Sequence, residues 1–222
     1  MPRVYLNGEG LMRMLTLALL LQAAPVAAQQ AFEGTLVVQE GGRETGREKF
    51  ELRQGRERGI AGSTLSVDAR YPAARLTINA TLQRTPEGAL ALFRLRVAGP
   101  DGPSSILAAG SGARLIVRTE AKGTETGGDM PSGPDVVLLD ENVYALYTAV
   151  ADAATATGAH LRAIFPRSGR HAAFTARRDA AAGAARVQLT GDIAATLTLD
   201  ASGRLQRLDF PATSIVVTRL DN

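Results

Sequence analysis

The chain has no cysteine, no tryptophan, two histidines and, among 25 basic residues, only the lysines Lys49 and Lys122. Without cysteine there is no disulfide to staple a fold and no thiolate to act as nucleophile or metal ligand. An oxidising compartment therefore neither helps nor harms it. His160 and His171 lie eleven residues apart, a spacing that fits no metal-ligand pattern, so no metal and no cofactor are expected. Aromatics make up 5% of the residues and the arginines are scattered, which argues against a nucleic-acid partner. The formal charge of +3 is nearly balanced, and the calculated pI of about 9.7 reflects arginine content, not a basic patch.

Long apolar runs are scarce too. Met14 to Leu21 is an apolar core preceded by Arg13 and followed by small residues from Ala23 to Ala28. It is too short for a finished membrane span and reads as a signal peptide cleaved between Ala28 and Gln29. Residues 1–11 are poor signal-peptide material, which makes Met12 an alternative start. No cysteine follows the core, so a lipid-anchored lipoprotein is not expected. Residues 29–222 contain no second apolar span and should form one soluble, periplasmic or secreted, β-rich domain.

What remains alternates. Phe32–Gln39 and Glu48–Arg53 face each other across Gly41-Gly42, with Lys49 and Glu51 alternating with Phe50 and Leu52. Arg75–Arg84 is the cleanest period-two stretch, and Pro86-Glu87-Gly88 turns it into Ala89–Val97. Gly62-Ser63 predicts a bulge in the intervening strand. Further strands follow around Gly110-Ser111-Gly112, and residues 124–134 read as a glycine-rich loop. The last third runs as strands from His171 to Arg219, with Asp200-Ala201-Ser202-Gly203 as a hairpin turn. The expectation is a mainly β protein: an antiparallel barrel or half-barrel of about ten strands with one amphipathic helix packed on it.

That helix is placed at about residues 140–156. Val136–Leu139 is a short buried extended segment, Asp140 a cap and Glu141 a favourable charge in the first turn. Val143, Leu146, Tyr147, Val150, Ala151 and Ala154 form one apolar stripe, and Gly158 stops the helix. A stripe of this kind suits a lid across a barrel mouth.

Catalytic signals are missing. Ser168 stands near His171, but no Gly-x-Ser-x-Gly elbow occurs, and Asp140–Glu141 is explained by capping, so no catalytic residue is assigned. Arg167 and Arg170, with Arg162 and His171, gather near the turn after the helix, where they could meet an anionic headgroup. Inward apolar positions are expected at Leu76, Ile78, Leu82, Phe93, Leu95, Ile116, Leu189, Leu197, Leu199, Leu208 and Phe210. Burying each leucine or phenylalanine contributes about 1.5–3 kcal/mol, enough for a dry core without a ligand.

The segment VVLLDENVYALY and the closing pattern LDASGRLQRLDFP…VTR resemble those of bacterial secreted proteins of unknown function. Their element order is similar to the incomplete β-barrels of periplasmic lipoprotein carriers. The resemblance implies a curved antiparallel sheet holding apolar material under a helix. A non-enzymatic protein binding an apolar or lipid-like molecule is therefore expected, with Leu146, Tyr147, Val150, Phe93, Arg167 and Arg170 as the contact residues. The alternative is a structural or protein-interaction module of the cell envelope with a filled core.

Overall fold

The computed structural model describes residues 31–57, 59–181 and 184–220. The expected signal peptide and its cleavage site lie outside the described residues. Alternation produces far more strand than expected, in one sheet of 15 strands instead of about ten. The first eight form a continuous antiparallel meander. They are β1 (Ala31–Glu40), β2 (Arg43–Glu57), β3 (Ile60–Tyr71), β4 (Leu76–Arg84), β5 (Leu90–Ala98), β6 (Ser104–Ser111), β7 (Arg114–Ala121) and β8 (Thr124–Pro131).

The chain then runs through β9 (Val136–Leu138), a 3-10 turn (Tyr144–Tyr147) and α1 (Thr148–Ala153). A second meander follows: β10 (Ala159–Phe165), β11 (Arg170–Ala181), β12 (Ala184–Gly191), β13 (Ala195–Leu199), β14 (Leu205–Phe210) and β15 (Ile215–Leu220). Antiparallel pairing of β1 with β15 sews the two meanders together. At the far end β9 pairs in parallel with β10 and comes back against β5, so the sheet is a nearly closed barrel.

Local chemistry explains the differences from the alternation pattern. Gly41 and Gly42, with φ of +56° and +81°, make a two-residue turn, so β2 begins at once at Arg43. The bulge expected at Gly62 does not interrupt β3. That glycine has φ of +129°, and a side-chain carbon there would lie 1.9 Å from the Arg84 carbonyl oxygen, so glycine lets β3 pass this close. Residues 124–131, expected as a loop, form the edge strand β8, held by cross-strand pairs Arg118–Glu125 (2.8 Å) and Arg114–Asp129. Among the inward positions Ile116 is the exception, being 59% exposed while its neighbours Leu115 and Val117 are buried. Three apolar residues in a row leave the parity open, and Val117 opposite the fully buried Ala108 settles it.

The largest correction concerns the helix. It is neither long nor a lid: six α-helical residues follow a 3-10 turn, the turn is buried throughout, and α1 is buried through Ala149, Val150 and Ala151 while Asp152 is exposed. Val143, Tyr144, Ala145, Leu146, Tyr147, Ala149, Val150 and Ala151 are all buried. Tyr144, Ala145 and Ala149 are buried outside the expected stripe, so apolar surface covers most of the segment's circumference and leaves Thr148 and Asp152 toward solvent. It fills the inside of the curved sheet as a plug. No helix among the described residues is long and apolar enough to cross a membrane.

Candidate functional site

The two ends of the plug are built differently. At its beginning the 3-10 turn has no side-chain cap of its own, and Asp140 does not provide one. The open amides are taken instead by Glu48 on β2, whose side chain falls on the Phe50 and Leu52 face and is fully buried. Glu48 Oε1 accepts the Tyr144 N–H at 2.8 Å and Oε2 accepts the Ala145 N–H at 2.9 Å. The cap is thus delivered from 96 residues away.

The Tyr71 hydroxyl lies 3.1 Å from Glu48 Oε1 and 3.1 Å from the Asn142 carbonyl oxygen. This geometry satisfies both protonation states. An ionised Glu48 accepts the hydroxyl proton, whereas a neutral Glu48 can donate to Tyr71 while Tyr71 donates to Asn142. Burial pushes the Glu48 pKa up to about 7, against the two amides and Tyr71, which favour the charged form. The Tyr71 and Tyr144 hydroxyls are also raised, chiefly by burial, with the Glu48 charge second.

Beside this clip the Asp140 side chain is buried and gripped by Arg167 through two bonds, Nε to Oδ2 at 3.0 Å and Nη2 to Oδ1 at 2.9 Å. Asn142 adds its own amide to Asp140 Oδ1 at 2.9 Å and receives Arg167 Nη2 on its side-chain oxygen at 2.8 Å. Burial raises the Asp140 pKa and the Arg167 guanidinium opposes the rise. The sequence placed Asp140 as a helix cap. Its role here is to close a turn and anchor the start of the plug to the β10–β11 turn.

The six residues expected to contact a ligand are dispersed by this arrangement. Phe93, Leu146, Tyr147 and Val150 are packed in the core, and Tyr147 meets Phe210 edge-on with ring centres 5.4 Å apart. Arg167 is spent on Asp140. Arg170 stacks 3.5 Å over the Phe165 ring and lies 3.9 Å from Glu141. Ser168 donates to Glu141 at 2.7 Å, not to His171, and His160 Nδ1 lies 3.1 Å from the Thr175 hydroxyl.

Open space lies at the other end, beside α1. A recess of about 230 Å3 is floored by Phe32, Leu52, Ala151 and Leu205, with Thr148 and Arg204 at its margin. It shares Gln54 and Asp152 with a more polar groove of about 570 Å3 that runs past Arg84 and His160. Arg84, largely buried, donates to the Gly88 carbonyl at 3.0 Å and pairs with Asp152 at 3.3 Å. Arg178 donates to the Ala151 carbonyl, tying α1 to β11. The apolar recess and the polar groove thus lie side by side, with Gln54 and Asp152 lining both.

No group of three or more acidic or histidine side chains is placed to hold a metal ion among the described residues. No protein-family model matches the chain, and no curated protein matches it. Among solved structures it is similar to the crystal structure of a DUF1089 family protein from Pseudomonas aeruginosa. The alignment covers 96% of this chain and 98% of that one, at 13% identity and a TM-score of 0.44. Likeness at that level transfers no function.

Proposed function

We propose that this is a non-enzymatic protein of the bacterial periplasm that binds an apolar or lipid-like molecule at the α1 end of its barrel. The observation that carries the reading is the recess of Phe32, Leu52, Ala151 and Leu205 lying beside the polar groove, with Gln54 and Asp152 lining both. An amphiphile needs that combination, an apolar pocket to hide a tail and adjacent polar walls for the head. At about 230 Å3 the recess exceeds the roughly 150 Å3 of a cavity that holds benzene. It therefore suits the end of a chain, with the rest lying along the groove. The resemblance to lipoprotein-carrier barrels belongs to this proposal, with one change: the ligand sits beside the plug, not beneath a lid.

Native mass spectrometry of protein exported to a periplasm and purified without detergent tests the reading. A discrete, solvent-extractable added mass on a chain starting at Gln29 supports it, and a purely apo protein speaks against it.

A second reading, an envelope interaction module with a filled core, draws on a different observation. The interior is packed by the plug, and β8 is an edge strand exposed along nearly its whole length, beside Ile116 and Leu107 on β7 and β6. Such an edge can receive another strand. A partner captured through β8, with no small molecule bound, would favour it.

A further inference from the structure

The recess margin carries one cation that nothing in the fold uses up. Arg204, at the end of the Asp200–Gly203 turn, is exposed, and its guanidinium lies 4.1 Å over the Phe32 ring. Among the described residues it forms no ion pair and its side chain donates no hydrogen bond. The other charges beside the recess are held within the fold, Arg178 by the Ala151 carbonyl. Arg219 pairs with Asp200 at 2.7 Å and also donates to the Leu205 carbonyl at 3.0 Å. Asp152 pairs with Arg84. Asp200 is further occupied by the Ser202 and Arg204 amides at 2.9 and 3.0 Å, so it cannot turn to Arg204's side chain without opening the hairpin.

Stacking holds the guanidinium plane against the wall of the recess while leaving its edge N–H groups open. Because Phe32 is both floor of the recess and platform for Arg204, a tail against the ring brings its head within reach of those donors.

Resting on the reading of this recess as an amphiphile site, we infer that its ligand is an anionic amphiphile, whose carboxylate or phosphate head is taken by Arg204. Planar donors in a fork match two oxygens of such a head, which a neutral or cationic head cannot offer. One charge-assisted contact of this kind amounts to about tenfold in affinity.

The test uses decanoate and decyltrimethylammonium, which share a tail and differ in head charge, titrated near pH 7 into the exported protein and followed by NMR. Decanoate should shift the signals of Phe32, Leu52 and Leu205 and bind about tenfold more tightly than the cation. Arg204→Gln should abolish that preference, whereas Arg94→Gln, on the outer face of β5, should leave it intact; thermal melts of both variants report that they fold. Equal binding of both probes at the recess would overturn the anionic assignment and leave the amphiphile site standing. A preference that survives Arg204→Gln would overturn the assignment of the head to Arg204. If neither probe moves those signals, the recess reading itself falls along with this inference.

Discussion

The two ends of the plug differ in what they leave unpaired. At the Tyr144 end the buried charges are paired: Glu48 caps two amides, Tyr71 bridges Glu48 to Asn142, and Arg167 is gripped by Asp140. At the α1 end the helix stops against an open recess, and Arg204 stands stacked but unpaired. Buried polar groups fully satisfied by one another specify and rigidify a structure. Open ones beside apolar surface are left for something else. The contrast teaches that charge near the plug is not equivalent: Arg167 is part of the scaffold, and Arg204 is free to act.

Breaking the plug should have the largest effect. Leu146→Asp with Val150→Asp puts two unpaired charges into fully buried positions, and the protein should fail to fold, seen as loss of a cooperative thermal transition. A soluble, equally stable double variant would refute the buried plug. Removing only the clip is milder. Glu48→Ala strips the cap from Tyr144 and Ala145 and leaves both amides buried without partners, at a cost of about 3–5 kcal/mol in urea unfolding.

The same clip predicts a pH dependence of definite sign. Glu48 has a folded pKa of about 7, above its ordinary 4.5, so the folded state holds the proton more tightly than the unfolded chain. Its contribution to stability is therefore fully present below about pH 4.5 and is lost as the pH rises through 7. At about 1.4 kcal/mol per unit the loss is about 3 kcal/mol. Glu48→Gln should flatten this part of the stability profile, measured by urea unfolding between pH 4.5 and 8. A wild-type profile that rises across that window would contradict the burial argument. Smallest is Ile116→Lys on the exposed face of β7, expected within about 0.5 kcal/mol of wild type and outside the recess altogether.

Much of this architecture was legible from alternation and turn residues. The hairpin at Gly41-Gly42 and the turn at Asp200–Gly203 follow from their turn residues, and the inward positions of β4, β5, β12 and β13 from period two. β8 was missed because Thr124–Pro131 has no buried face, and its pairing is carried by backbone bonds and by Arg114 and Arg118 on the neighbouring strand. The plug differs from the expected lid because Tyr144, Ala145 and Ala149 add buried apolar surface beyond the single stripe.

Glu48 left a signal that was passed over, since a carboxylate shares parity with Phe50 and Leu52 and so points inward. What it caps, 96 residues on, depends on the closure of the sheet and has no local signature. The recess likewise joins the Phe32–Leu52 pair of the first hairpin to Ala151 and Leu205 from distant parts of the chain, so spacing could not reveal it.

The most direct test is native mass spectrometry of the periplasmic protein beside its Thr148→Phe variant, which fills the recess from a half-buried position at its margin. The account predicts an extractable amphiphile on the wild type and an apo mass for a folded variant. An adduct carried equally by both, or absent from the wild type, would contradict it.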